Sequence, residues 1–90
     1  MDENDLHLDG NAAAGTLAVI FGREMTIARA VCADCSAEGQ VGSLMQYGHG
    51  MGIVLRCPDC DAAMIRVTQI RGEYWLDTRG ASVLRIPSEG

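Results

Sequence analysis

Two cysteine pairs, Cys32-Ala33-Asp34-Cys35 and Cys57-Pro58-Asp59-Cys60, separated by 21 residues, constrain this chain more than anything else in it. Each C-x-x-C sets two sulfurs on one tight turn, close enough to grip the same ion. Two such turns supply a tetrahedron of thiolates, the donor set of a structural zinc site. The separation slightly exceeds the usual fifteen to twenty or so residues, which a longer hairpin loop accommodates. The spacing therefore predicts one Zn²⁺ on Cys32, Cys35, Cys57 and Cys60. With every position filled by sulfur, such an ion is closed to water and substrate, and its role is structural. Iron on the same four sulfurs is the main metal alternative. Such iron sites are shielded by aromatic side chains, and here Phe21, Tyr47, Tyr74 and Trp75 are the whole aromatic set. Disulfides within each C-x-x-C would close rings too small to constrain much chain.

A chain of 90 residues makes one domain. At this size only about three-fifths of the unfolded surface is buried, so the core is marginal and a metal staple is physically welcome. Hydrophobic residues are 48% of the chain but aromatics only 4%, so the core must be built from Ala, Val, Ile, Leu and Met. That suffices for a small sheet with a helix on it. It is too little for a deep enclosed catalytic cavity.

The formal charge is −5, and all seven cations are arginine. Four thiolates and one Zn²⁺ together add two negative charges, taking the loaded protein to about −7. This balance opposes a nucleic-acid backbone through the whole-molecule field. Met1-Asp2-Glu3-Asn4-Asp5 has neither the basic nor the apolar region of a signal peptide. The longest apolar candidate, Leu17–Phe21, is far short of a membrane span. A cytoplasmic location with reduced thiols follows as the expectation.

Along the chain, residues 1–8 form a mobile acidic tail in which Leu6 and Leu8 dock on the body. Residues 9–23 read as a helix, capped by Asp9 or Asn11, with Ala13, Leu17, Ile20 and Phe21 on one face and Gly22 at its end. Residues 25–71 read as a metal-centred ribbon. Its strands are Met25–Val31, Val41–Tyr47, Met51–Arg56 and Ala62–Ile70, with Gly48-His49-Gly50 as a hairpin loop. Residues 72–87 add the strands Glu73–Asp77, after Arg71-Gly72, and Ser82–Ile86, stopped by Pro87. The fold class is small α+β: an antiparallel ribbon sheet, one N-terminal helix and a C-terminal hairpin extension.

Other candidates are weaker. His7 and His49 are loop histidines with no place left in a four-sulfur sphere. Asp34, Asp59 and Asp61 read as turn residues bonding nearby backbone N–H groups. Arg29, Arg56, Arg66 and Arg71 lie near the metal and are candidates for a basic patch, with Tyr74-Trp75 beside it, the combination that nucleic-acid-binding ribbons use. Burial of Trp75 is the competing expectation, since it is the largest side chain in a core-poor protein. No nucleophile–base pair, phosphate loop or HExxH is present, and the chain is read as non-enzymatic.

The segment Cys32–Cys60 resembles a zinc ribbon, a broad fold group that is specific for the metal and nearly silent about function. More closely, Leu8-Asp9-Gly10-Asn11-Ala12-Ala13-Ala14-Gly15, the two cysteine turns, Tyr74-Trp75-Leu76-Asp77 and Leu84-Arg85-Ile86 resemble a family of short, uncharacterised actinobacterial proteins, over nearly the whole chain. That resemblance implies the four cysteines as metal ligands and brings no activity or partner. The resulting expectation is a structural-zinc adaptor for a protein partner. The alternatives are a thiol/zinc redox switch, or a nucleic-acid or ribosome-binding ribbon using Arg29, Arg56, Arg66 and Arg71. Dimerisation through an edge such as Ser82–Ile86 is a further option.

Overall fold

A computed structural model describes residues 7–9, 12, 14–48 and 52–88. Leu6, Gly10, Asn11, Ala13, His49, Gly50 and Met51 lie outside the described residues. The chain runs β1 (His7–Asp9), α1 (Ala14–Phe21), β2 (Arg29–Cys32), β3 (Glu38–Gln40), β4 (Met45–Tyr47), β5 (Gly52–Arg56), β6 (Ala63–Ile70), β7 (Glu73–Asp77) and β8 (Ala81–Arg85). This is the expected small α+β fold, with one helix on antiparallel sheet.

The strands form two sheets, a five-stranded one in the order β1-β4-β5-β6-β7 and a three-stranded one in the order β3-β2-β8. Their inner faces meet over one aliphatic core. From the larger sheet come Ile53, Leu55, Ile65 and Val67; from the smaller one, Ala30 and Cys32. Leu17, Met25, Ala28, Val41, Leu44 and Met64 fill the space around them. The helix contributes Leu17 fully and Ile20 and Phe21 partly, while Val19 faces solvent. Gly22 ends it at φ +72°, its N–H bonded to the Ala18 carbonyl at 2.8 Å. That left-handed residue is the ordinary glycine stop.

Several boundaries differ from the sequence reading. His7–Asp9 is not free tail but a strand, paired with Met45–Tyr47. The described helix begins at Ala14; Asp9, expected at its start, lies in β1, and Asn11 and Ala13 lie outside the described residues. Val41–Tyr47 is not one strand: Val41–Ser43 forms a 3₁₀ turn, and Gln40–Glu38 before it is a strand of its own. Val41 and Gly42 donate to the carbonyls of Ala28 and Thr26, so this turn closes the smaller sheet over the core. Ser82–Ile86 is shifted to Ala81–Arg85, and it does not extend β7. It leaves for the other sheet and pairs with β2. Trp75 is not buried; it is 59% exposed.

The crossing from β7 to β8 is tight. The Gly80 carbonyl accepts the Ala33 N–H at 2.9 Å, and its Cα sits against the start of β6. A Cβ at Gly80 would stand 1.9 Å from the Ala63 carbonyl oxygen, well inside contact distance. Only a residue without a side chain fits there. Gly80→Ala should therefore lower stability by about 2 kcal/mol or more, through forced backbone displacement, and lower Tm by several degrees. Thermal unfolding of the metal-loaded variant is the measurement.

Candidate metal centre

Each cysteine pair sits where a hairpin changes direction. Cys32 ends β2, and the chain returns as β3. Cys57 follows β5, and the chain returns as β6. The two turns share one backbone pattern. Cys32 N–H bonds the Ala37 carbonyl at 2.8 Å, and Ser36 N–H bonds the Cys32 carbonyl at 2.9 Å. In the second turn Cys57 N–H bonds the Ala62 carbonyl at 2.9 Å, and Asp61 N–H bonds the Cys57 carbonyl at 2.8 Å. Ser36 and Asp61, each just after the second cysteine, both adopt φ +66°. A left-handed residue at that point reverses the chain while keeping both sulfurs on the same side.

The two turns face each other and bring all four sulfurs together, each within 4.8 Å of the others. Across the pairs, Cys32 Sγ lies 3.5 Å from Cys60 Sγ, and Cys35 Sγ lies 3.7 Å from Cys57 Sγ. A tetrahedral ion with metal–sulfur bonds of about 2.3 Å requires sulfurs about 3.8 Å apart. The four cysteines could thus hold one metal ion with little movement. Cys32 and Cys57 are buried and belong to the core, whereas Cys35 and Cys60 are exposed. The site is anchored on its inner side and open to solvent on its outer one.

Backbone N–H groups surround the sulfurs. Donation from Cys35, then from Asp34, outweighs burial and lowers the Cys32 thiol to about 7. The Ala62 N–H favours the Cys60 thiolate, but loss of water and the three neighbouring sulfurs prevail and push that thiol up to about 12. The Ala37 N–H and the Cys60 sulfur favour the Cys35 thiolate, but loss of water and the Cys57 and Cys32 sulfurs prevail and raise it. Two full charges at this spacing repel by about 4 kcal/mol at an effective dielectric near 20. Four thiolates therefore coexist here only around a cation, and binding one expels the protons held on Cys35 and Cys60.

The remaining candidates are dispersed. Arg29 lies on the smaller sheet and bonds Glu38 at 2.8 Å, a carboxylate shared with Arg85 at 2.6 Å. Arg56 donates to the Asp61 carbonyl at 2.9 Å and lies over the Tyr47 ring, bracing the second turn. Arg66 is exposed on the outer face of the larger sheet, directly opposite Asp77. Arg71 is in the β6–β7 turn, at the far end of β6 from the sulfurs. The four arginines do not converge on the cysteines; Arg56 and Arg66 alone share a sheet face. Asp34, Asp59 and Asp61 are exposed, and their carboxylates make no hydrogen bond among the described residues. His7 is in β1, and His49 lies outside the described residues.

The equivalence of the turns is visible in the sequence as well. Both carry Cys-x-Asp-Cys-x-Ala, the alanine supplying the carbonyl that closes each turn.

Residues 3–89 match a family of unknown function, DUF6510. The chain belongs to that family. No curated protein and no solved structure matches it. Membership thus carries no activity with it, and the four-sulfur cluster is the feature of this DUF6510 chain that chemistry can interpret. Among the described residues no helix is long and apolar enough to cross a membrane.

Titration with Co²⁺ tests the cluster independently of the native metal. Intense thiolate-to-metal and tetrahedral ligand-field bands should saturate at one equivalent, and binding should weaken as pH falls, since thiol protons compete with the ion.

Proposed function

We propose that this chain is a zinc ribbon, a non-enzymatic module folded around one structural Zn²⁺ and presenting its surface to a protein partner in the cytoplasm. The observation that carries the metal assignment is the meeting of two equivalent cysteine turns at tetrahedral spacing. An all-sulfur donor set suits Zn²⁺, and a filled sphere leaves no position for a substrate. Thiols in this role need a reducing compartment, which supports the cytoplasmic placement. Exposed Ile70, Tyr74, Trp75 and Leu76 support an interaction role, since clustered apolar side chains at a surface mark contact sites.

Native mass spectrometry should show one zinc gained in place of two protons, the exchange a dication requires at fixed ion charge. Chelation should largely unfold residues 25–71, read by circular dichroism, because the aliphatic core cannot hold the turns together unaided. Cys57→Ser should behave like partial chelation. Iron in protein purified without air, disulfides in freshly reduced protein, or an unchanged melting curve after chelation would overturn the reading.

Two alternatives each have one supporting observation. Exposed Trp75 shares the outer sheet face with Arg56 and Arg66, as a stacking platform for single-stranded nucleic acid would require. The net charge opposes this, and fluorescence anisotropy at physiological salt should give no sub-micromolar binding. Such binding, lost in Arg56→Glu and Arg66→Glu with metal content intact, would favour the nucleic-acid reading. Exposure of Cys35 and Cys60 suits a redox switch. Mild peroxide should nevertheless leave the zinc in place, because the other two sulfurs are buried and metal-bound thiolates are held by backbone N–H groups.

A further inference from the structure

The edges of the two sheets are unequal. β1 and β3 are three-residue strands, and β3 carries only Glu38, Gly39 and Gln40. β8 is followed by Pro87, which cannot extend a ladder. Short, polar or proline-stopped edges are the usual protection against strand pairing. β7 has none of these. Its middle residues are Tyr74, Trp75 and Leu76, all exposed, and no described strand lies on its outer side.

Its side chains are also apolar on both faces. Tyr74 and Leu76 lie on the face that runs on from the core, opposite Gln69 and Val67. Trp75 lies on the other face, opposite Thr68, with Ile70 one step along the same side. A strand at the rim of a half-solvated sheet ordinarily alternates apolar with polar; one apolar on both faces is patterned for the interior of a sheet. The free hydrogen-bonding groups can be assigned. The two-residue turn Arg71-Gly72, with φ of +50° and +80°, makes Ile70 and Glu73 a bonded pair. Glu73, Trp75 and Asp77 thus bond to β6, leaving the N–H and C=O of Tyr74 and Leu76 pointing outward.

The charges around this edge are arranged symmetrically. Reading outward from Trp75, each direction gives an acid and then an arginine: Glu73 and Arg71 one way, Asp77 and Arg79 the other. Asp77 and Arg79 are already joined in a bidentate pair, with a contact of 2.7 Å. In a chain of net charge −5, this stretch sums to zero. Net charge therefore does not oppose the approach of two copies along this stretch.

We propose that β7 is a self-association edge, pairing antiparallel with β7 of a second copy about a two-fold axis near Trp75 to make one continuous sheet across both molecules. About that axis Trp75 meets its own mate and Tyr74 meets Leu76 of the second copy, while Glu73 faces Asp77 of the second copy, with that copy's Arg79 on the diagonal to offset it. Each end of the joint ladder gathers two arginines and two carboxylates, one pair from each copy. The centre gathers Tyr74, Trp75 and Leu76 from both. The outward groups of Tyr74 and Leu76 in one copy find the same groups in the other. The inference is independent of which metal the cysteines hold.

Sedimentation velocity on the full, metal-loaded chain, from micromolar to near-millimolar concentration, is the test. A reversible monomer–dimer equilibrium is expected. Leu76→Lys, which sets a charge at the centre of the ladder, should weaken it by about a hundredfold, and Trp75→Glu, which sets two carboxylates face to face on the two-fold axis, by about tenfold or more. Metal content and circular dichroism of both variants should match the parent; Trp75 is exposed and outside the core, so Trp75→Glu remains informative if Leu76→Lys misfolds. Hydrogen exchange adds a residue-level readout. With rising concentration the Tyr74 and Leu76 amides should slow, while those of Trp75 and Asp77, already bonded to β6, should not change. A chain that stays monomeric throughout, or a dimer that ignores both substitutions and leaves those two amides unprotected, would overturn the proposal.

Discussion

Four sulfurs within 4.8 Å of one another tie two sheets that otherwise share little backbone. Cys32 and Cys35 belong to the turn of the smaller sheet, Cys57 and Cys60 to the turn of the larger one. Around this knot the core is thin, made of Ala, Val, Leu, Ile and Met with no aromatic ring at its centre. Without a cation, crowding favours the protonated forms of Cys35 and Cys60, and the knot is only a contact among sulfurs. With one, it becomes a crosslink. The gathering of Ala30 and Cys32 of the smaller sheet into one cluster with Ile53, Leu55, Ile65 and Val67 of the larger depends on the sheets being held at that point.

The second element of the knot is backbone. Gly80 crosses between the turns, taking a hydrogen bond from Ala33 in the first and lying against Ala63 just after the second. The β7–β8 connection thus contacts both halves of the centre. Arg56 adds a side-chain brace by donating to the Asp61 carbonyl. The metal turns are therefore supported from three directions, by the core beneath, by Gly80 between and by Arg56 beside them.

The ligand set was legible because tetrahedral coordination demands donors in pairs at turn spacing, and Cys32, Cys35, Cys57 and Cys60 satisfy that demand with no competitor. The helix stop at Gly22 and the turn at Arg71-Gly72 were legible because each needs a positive φ. Pairing between distant strands was not. Ala81–Arg85 has the composition of any short strand, and nothing local says that it joins β2 and not β7. Val41–Ser43 misled for a different reason: its valine suits a strand, but burial falls at Val41, Gly42, Leu44 and Gln46, a pattern set by hydrogen bonds to Thr26 and Ala28. Trp75 misled because size argues for burial only when the core has room beside that strand.

The antiparallel ladder between β2 and β8 joins Ala30 to Leu84, so its closure gathers a loop of more than fifty residues. A metal-clasped chain takes a shorter route, from Cys32 across the ion to Cys60 and on to Leu84, roughly half that contour. Halving a loop saves only about 0.6 kcal/mol of closure entropy. The metal's contribution to this ladder is thus small in free energy and large in search distance. Encounter between β2 and the C-terminal strand becomes nearly as local as a long hairpin, in a topology whose non-local pairings would otherwise slow folding.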